Sequence, residues 1–136
     1  FTYTVNDGTI DSTEATATIT VDPINDAPVV VNDSYPVLPN AALVLDAASG
    51  VLANDSDVDG DSLDVTLVAG PAHGTLLLDP DGGLSYTPET DFEGTDSFTY
   101  TVNDGTVDSL VASVTLNVDT QAALADQALA AEQNWS

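Results

Sequence analysis

The chain has 136 residues, with 23 aspartates and glutamates against no lysine, no arginine and a single histidine, a formal charge of −23. Binding to a phosphate backbone or an anionic membrane surface is excluded, because both draw their affinity from basic side chains. The absence of cysteine removes disulfides, zinc-thiolate and iron–sulfur sites and thiol catalysis. Hydrophobic residues at 43% suffice for a core. The carboxylates, with no Lys or Arg to pair with, are left to water, backbone N–H groups and dissolved cations, and a metal cation is the partner most directly implied.

Phe1-Thr-Tyr-Thr-Val-Asn-Asp-Gly-Thr-Ile-Asp-Ser12 recurs as Phe98–Ser109 with one conservative change. The same 97-residue offset aligns Ala15, Thr18, Val21 and Asp22 with Ala112, Thr115, Val118 and Asp119. A period that long suits a sandwich domain rather than a solenoid unit. Residues 1–21 are therefore read as the C-terminal hairpin of a preceding repeat, 22–28 as a linker and 29–119 as one complete repeat. The opening in mid-pattern at Phe1 gives the expectation of a piece of something longer. No apolar run approaches the length of a membrane span, so membrane insertion is not expected.

Strands are expected at Val29–Val31, Leu43–Leu45, Leu63–Leu67, Thr75–Leu78 and Leu84–Tyr86, with Asp79-Pro80-Asp81-Gly82-Gly83 joining the last two. Phe98, Tyr100 and Val102, then Ala112, Val114, Leu116 and Val118, alternate with threonine, serine and asparagine. That period of two marks half-buried strands, and Asn103-Asp104-Gly105 is a turn signal between them. Short strands punctuated by Gly, Pro and Asp predict an all-β, antiparallel Greek-key sandwich of immunoglobulin-like type. The Ala-rich stretch 120–136 brings Leu124, Ala128, Ala131 and Trp135 to one helical face. For it two readings stay open, a short helix and a linker.

The densest chemistry is Asn54-Asp55-Ser56-Asp57-Val58-Asp59-Gly60-Asp61, with four carboxylates at alternate positions. Hard cations such as calcium take six to eight oxygen ligands, and alternate spacing in a bent loop lets successive carboxylates face one ion. The stretch is not an EF-hand, since the twelfth position from Asp55 is Thr66 where a bidentate glutamate is required. A solvated acidic turn is the plain alternative. His73, between Pro71 and Gly74, is read as a turn residue. The carboxylate pairs Asp91/Glu93 and Asp55/Asp57 lack any sign of a substrate cleft, so an enzyme is not expected. Asn32-Asp33-Ser34, Asn54-Asp55-Ser56 and Asn134-Trp135-Ser136 fit the glycosylation pattern but are read as chance matches.

Asp22-Pro23-Ile24-Asn25-Asp26-Ala27-Pro28 resembles the linker of cadherin-like tandem repeats of bacterial surface proteins and large adhesins. The same resemblance extends to the loop Val51–Asp57, to Asp91-Phe92-Glu93 followed by Phe98, and to Asp104-Gly105. Gly70-Pro71-Ala72-His73-Gly74-Thr75-Leu76 and Thr95–Tyr100 add a bacterial flavour. In that family calcium sits between consecutive domains. The resemblance implies a calcium junction gathering Asp22, Asn25, Asp26, Asp55, Asp57 and Asp104, which Asp59 and Asp61 extend. It places Asp91 and Glu93 at the opposite end, facing a following linker, although Asp119-Thr120-Gln121-Ala122 lacks the linker pattern. It further implies a secreted or cell-surface spacer or adhesive module. The expected partners are neighbouring repeats of the same protein, with a homophilic or cell-surface ligand left open. The alternative is a filament subunit that assembles by strand exchange of the 1–21 hairpin.

Overall fold

The computed structural model describes residues 1–120; the expected helix or linker over 120–136 lies, apart from Thr120, outside the described residues. A small hairpin comes first, strands β1 (Thr2–Tyr3) and β2 (Ala15–Thr16). The body then follows as β3 (Asp33–Val37), β4 (Leu43–Leu45), a 3-10 turn (Val51–Asn54), β5 (Asp64–Ala69), β6 (Gly74–Leu78), β7 (Leu84–Pro88), β8 (Gly94–Asn103) and β9 (Ala112–Val118). They form a four-stranded sheet in the order β3-β9-β8-β5 and a three-stranded sheet β4-β7-β6.

Period-two alternation decides what lies between the sheets. Along β8, Asp96, Phe98, Tyr100 and Val102 are buried at every second position, and along β9 Ala112, Val114, Leu116 and Val118 are. The hydrophobic members of both strands pack with Val37, Val51, Val65, Leu84 and Tyr86 in one core. The threonines between them hold the pleated, wetter face, where β-branched residues fit well.

One strand expectation needs correction. Val29–Val31 is not a strand; only Val29 pairs, through an isolated bridge to Ser56. The first strand of the body is Asp33–Val37, and it runs parallel to β9, whereas the other described strand pairs are antiparallel. Pro36 within β3 costs no ladder bond on its outer side, because β3 is an edge strand.

This topology fixes which loops meet. β5 pairs antiparallel with β8 so that Asp64 stands opposite Asn103. The loop before β5, residues 55–63, therefore lies beside the β8–β9 tip at Asp104. Because β3 parallels β9, with Asp33 opposite Val114, the chain preceding β3 also arrives at this end. Gly94, where β8 starts, is ten residues away along one strand, roughly 30 Å at 3.3 Å per residue.

Candidate metal centre

Asp57, Asp59 and Asp61 bring one carboxylate oxygen each to within 4.8 Å of one another. The loop is shaped by its own hydrogen bonds. Asp57 Oδ1 accepts the backbone N–H groups of Asp59 (2.9 Å) and Asp61 (3.2 Å). Gly60, at φ +79°, supplies the left-handed residue of the bend. Asp57 Oδ2 is buried and has no hydrogen-bond partner. Such an orphaned acceptor is costly, and a bound cation is one way to satisfy it.

The linker lies against this loop. The backbone N–H of Asp26 donates to Asp59 Oδ2 (2.8 Å), and Asn25 Nδ2 donates to Asp104 Oδ2 (2.8 Å). A cleft of ≈ 340 Å³ is lined by Pro23, Asn25, Asp59 and Asp61. Asp104 is shaped for its place: backbone N–H donation from Val107, then the Asn25 amide and the Thr106 N–H, hold its carboxyl below the usual range. Asp22 is exposed and stands outside this set of hydrogen bonds.

Asp55 turns the other way, into the body. Its carboxylate accepts the Val31 backbone N–H (2.8 Å) and faces the Tyr100 hydroxyl (3.1 Å). The same hydroxyl lies 3.0 Å from Asp33 Oδ2. One phenolic proton thus stands between two carboxylates and satisfies one of them at a time. Burial raises the carboxyl of Asp55, and raises that of Asp33 with the Asp55 charge adding to it. Burial beside the same two charges pushes the Tyr35 hydroxyl up to about 12.

Asp91 and Glu93 lie at the far end of β8. Asn40 and Asp91, both at positive φ, exchange two hydrogen bonds: Asn40 Nδ2 donates to Asp91 Oδ1 (3.2 Å) and the Asp91 N–H donates to Asn40 Oδ1 (2.9 Å). Glu93 lines a cleft of ≈ 370 Å³ with Gly94, Thr95, Asn117, Val118 and Asp119. The ten candidate ligands therefore divide. Asp57, Asp59 and Asp61 cluster, Asn25, Asp26 and Asp104 border them, Asp55 sits just inside, Asp22 stands apart, and Asp91 and Glu93 mark the other end.

Asp33, Asn40 and Asp96 escaped the sequence reading. Asp96 is 4% exposed; it accepts the backbone N–H groups of Ala72, His73 and Ser97 (2.9 Å each) and the Tyr86 hydroxyl (2.7 Å). Its signal was present, a carboxylate in phase with Phe98 and Tyr100 on the inward face. His73 keeps its turn role, stacked on Phe92 with ring centroids 4.5 Å apart, with Nδ1 3.7 Å from Glu89.

A family model of the bacterial cadherin-like domain matches residues 25–120. This chain belongs to that family. The cadherin-like domain has the fold expected of it. Human protocadherin-24, in a structure of its EC1-2 segment, is similar at TM-score 0.53 and 21% identity, over 70% of this chain and 45% of that one. An endo-fucoidan hydrolase of glycoside hydrolase family 107 is similar at TM-score 0.50 and 27% identity, over 88% of this chain and 18% of the hydrolase. The cadherin-like chain thus spans less than half the length of either. No curated protein matches it. Domains of this family are structural and adhesive modules, and no helix among the described residues is long and apolar enough to cross a membrane.

The donor set fits a hard cation. Oxygens on opposite sides of a calcium ion with 2.3–2.6 Å bonds are separated by roughly 4.6–5.2 Å, and the three carboxylates already fall within that reach. With no lysine or arginine in the chain, no side-chain ammonium or guanidinium competes for them.

Proposed function

We propose that this domain is a calcium-binding structural module of a secreted or cell-surface tandem-repeat protein, in which the ion fixes the linker 22–28 to the body. Asp57, Asp59 and Asp61 supply carboxylate oxygens, and Asn25, Asp26, Asp55 and Asp104 complete or border the shell. Asp22 joins from the linker, while Asp91 and Glu93 serve a second junction at the opposite end. Neighbouring repeats of the same protein are the partners.

The observation that carries this reading is the buried, unpartnered Asp57 Oδ2 on a residue of the Asp57, Asp59 and Asp61 carboxylate cluster. Without an ion, like charges crowd the end where the linker arrives; with one, repulsion gives way to shared coordination. Hydrogen bonds from Asp26 to Asp59 and from Asn25 to Asp104 then tie linker orientation to the occupied loop and the adjoining β8–β9 tip. The fucoidan hydrolase likeness does not alter the reading, because it covers 18% of that enzyme.

Calorimetric titration of the calcium-stripped chain tests this. Saturable heat with calcium, lost in Asp57→Asn/Asp59→Asn, is expected. Equal heats for wild type and the double variant would refute the assignment of these residues.

A further inference from the structure

One side chain of the core reaches the base of the 57–61 loop. Tyr100, on β8, is 0% exposed, and its hydroxyl approaches four acceptors from two other segments. On one side are Asp33 Oδ2 (3.0 Å) and the Val31 carbonyl (3.4 Å), where the linker passes into β3. On the other are Asp55 Oδ2 (3.1 Å) and the Val51 carbonyl (3.3 Å), at the 3-10 turn that leads into the loop. Burial, together with the charges of Asp33 and Asp55, pushes this hydroxyl up. It therefore keeps its single proton, which goes to one acceptor at a time.

The same two segments are laced together beside it. The Val31 N–H donates to Asp55 Oδ1 (2.8 Å), and Val29 and Ser56 exchange backbone hydrogen bonds of 2.8 and 3.0 Å. Asp55 and Ser56 are the residues that lead into the loop. Asp57, next in the chain, shapes it by accepting the N–H groups of Asp59 and Asp61. The other foot of the loop is fixed separately, where Asp64 pairs with Asn103 further along β8. Both feet thus stand on one strand, one through backbone pairing and the other through the Tyr100 hydroxyl.

We infer that Tyr100 is a positioning residue for the metal loop: its hydroxyl, acting through Asp55, fixes the loop's first foot so that the carboxylates of Asp57, Asp59 and Asp61 are gathered before an ion arrives. The inference rests on the calcium reading of that loop and gives a role to a residue outside the ligand set. Without the hydroxyl, Asp33 and Asp55 face each other with no proton between them, and their repulsion drives Asp55 and the foot of the loop outward. An ion then has to gather the carboxylates itself, and the cost of that ordering is subtracted from its affinity. Tyr100→Phe leaves the net charge as it is, so a change in calcium affinity in this variant does not come from removing a charge.

The test uses the full calcium-stripped chain, at a temperature where circular dichroism shows wild type and variants folded. Calorimetric titration of Tyr100→Phe with calcium is expected to give an affinity about tenfold below wild type, about 1.4 kcal/mol. Amide exchange in the calcium-free state reads the positioning with no ion present. The N–H groups of Val31, Asp59 and Asp61 are expected to exchange faster in Tyr100→Phe, while that of Asp91, bonded to Asn40 at the far end, is expected to stay as in wild type. In Tyr100→Phe/Asp33→Asn the amide introduced at position 33 supplies a donor for Asp55 and removes the repulsion, so calcium affinity is expected to recover. Asp33→Asn alone leaves the hydroxyl proton to Asp55, and is expected to bind calcium no more weakly than wild type. Both results run against Coulomb attraction, by which loss of a negative charge weakens cation binding. Equal calcium affinities of Tyr100→Phe and wild type overturn the inference and leave the calcium reading standing. A weaker affinity in either Asp33→Asn variant than in its parent also overturns it, and does so even if Tyr100→Phe alone fails to fold. A wild-type chain that gives no heat with calcium overturns the reading and the inference together.

Discussion

Asp96 is a buried carboxylate that gathers four hydrogen bonds, and its removal has a calculable cost. Asp96→Ala deletes the acceptor of three backbone N–H groups and the Tyr86 hydroxyl. Ala72 and His73 lie in an exposed loop, so their N–H groups recover water on small movement. Tyr86 is fully buried and is left with only a 3.4 Å approach to the His73 carbonyl. A hydrogen bond to a charged group contributes about 1.5–3 kcal/mol and a stranded buried hydroxyl costs about 1–3 kcal/mol. Together these put the loss at about 3–5 kcal/mol, while Asp96→Asn, which keeps an acceptor oxygen, loses about 2 kcal/mol.

The same residue sets a pH dependence. Burial pushes its carboxyl up, but the Tyr86 hydroxyl and the three N–H donors outweigh that and hold it below the usual range. The unfolded chain therefore takes up this proton first as pH falls. The contribution is complete above the unfolded value of about 3.9 and is lost as pH drops through the lower folded value. Urea unfolding followed by circular dichroism at neutral and acid pH measures both effects. A loss below about 1 kcal/mol for Asp96→Ala at pH 7 would refute the argument, because no single charged hydrogen bond of the group would then carry its expected weight.

Further outcomes follow from other contacts. Tyr100→Phe removes the proton shared by Asp33 and Asp55 and is expected to destabilise the calcium-free protein by about 1–3 kcal/mol in urea unfolding. Gly50→Ala drives a Cβ into the Gly82 carbonyl oxygen; since backbone must move, a loss of about 3 kcal/mol or failure to fold is expected by the same assay. Asp57→Asn keeps the acceptor of the Asp59 and Asp61 N–H groups, so stability without calcium is expected to stay within about 0.5 kcal/mol of wild type. The increment that calcium adds to the thermal midpoint is expected to vanish in that variant.

Much of the architecture was legible because burial imposes its period on the chain. Phe98 to Val102 and Ala112 to Val118 showed their inward face in sequence. β3 was missed because Asp33-Ser34-Tyr35-Pro36-Val37 carries neither clean alternation nor a run of β-formers. Its place is set by pairing with β9, some eighty residues away. The cluster of Asp57, Asp59 and Asp61 was legible because alternate carboxylates in a loop are a local property. The meeting of Asp33, Asp55 and Tyr100 was not, because three distant segments make it. Asp96 was overlooked although an acidic residue in phase with buried aromatics requires local donors, and the Gly-Pro-rich loop at 70–74 provides them.

In the proposed function, calcium held by the 57–61 loop stabilises this domain and its linker. The most direct test is the thermal unfolding midpoint of the chelator-stripped protein with and without calcium, with magnesium as the control. A ligand that binds only the folded state contributes about 2.7 kcal/mol at a hundred times its dissociation constant, on the order of a 10 °C rise for a body of this size. Such a rise is expected with calcium, a far smaller one with magnesium, and none in Asp57→Asn. A midpoint that calcium leaves unchanged would contradict the proposed function.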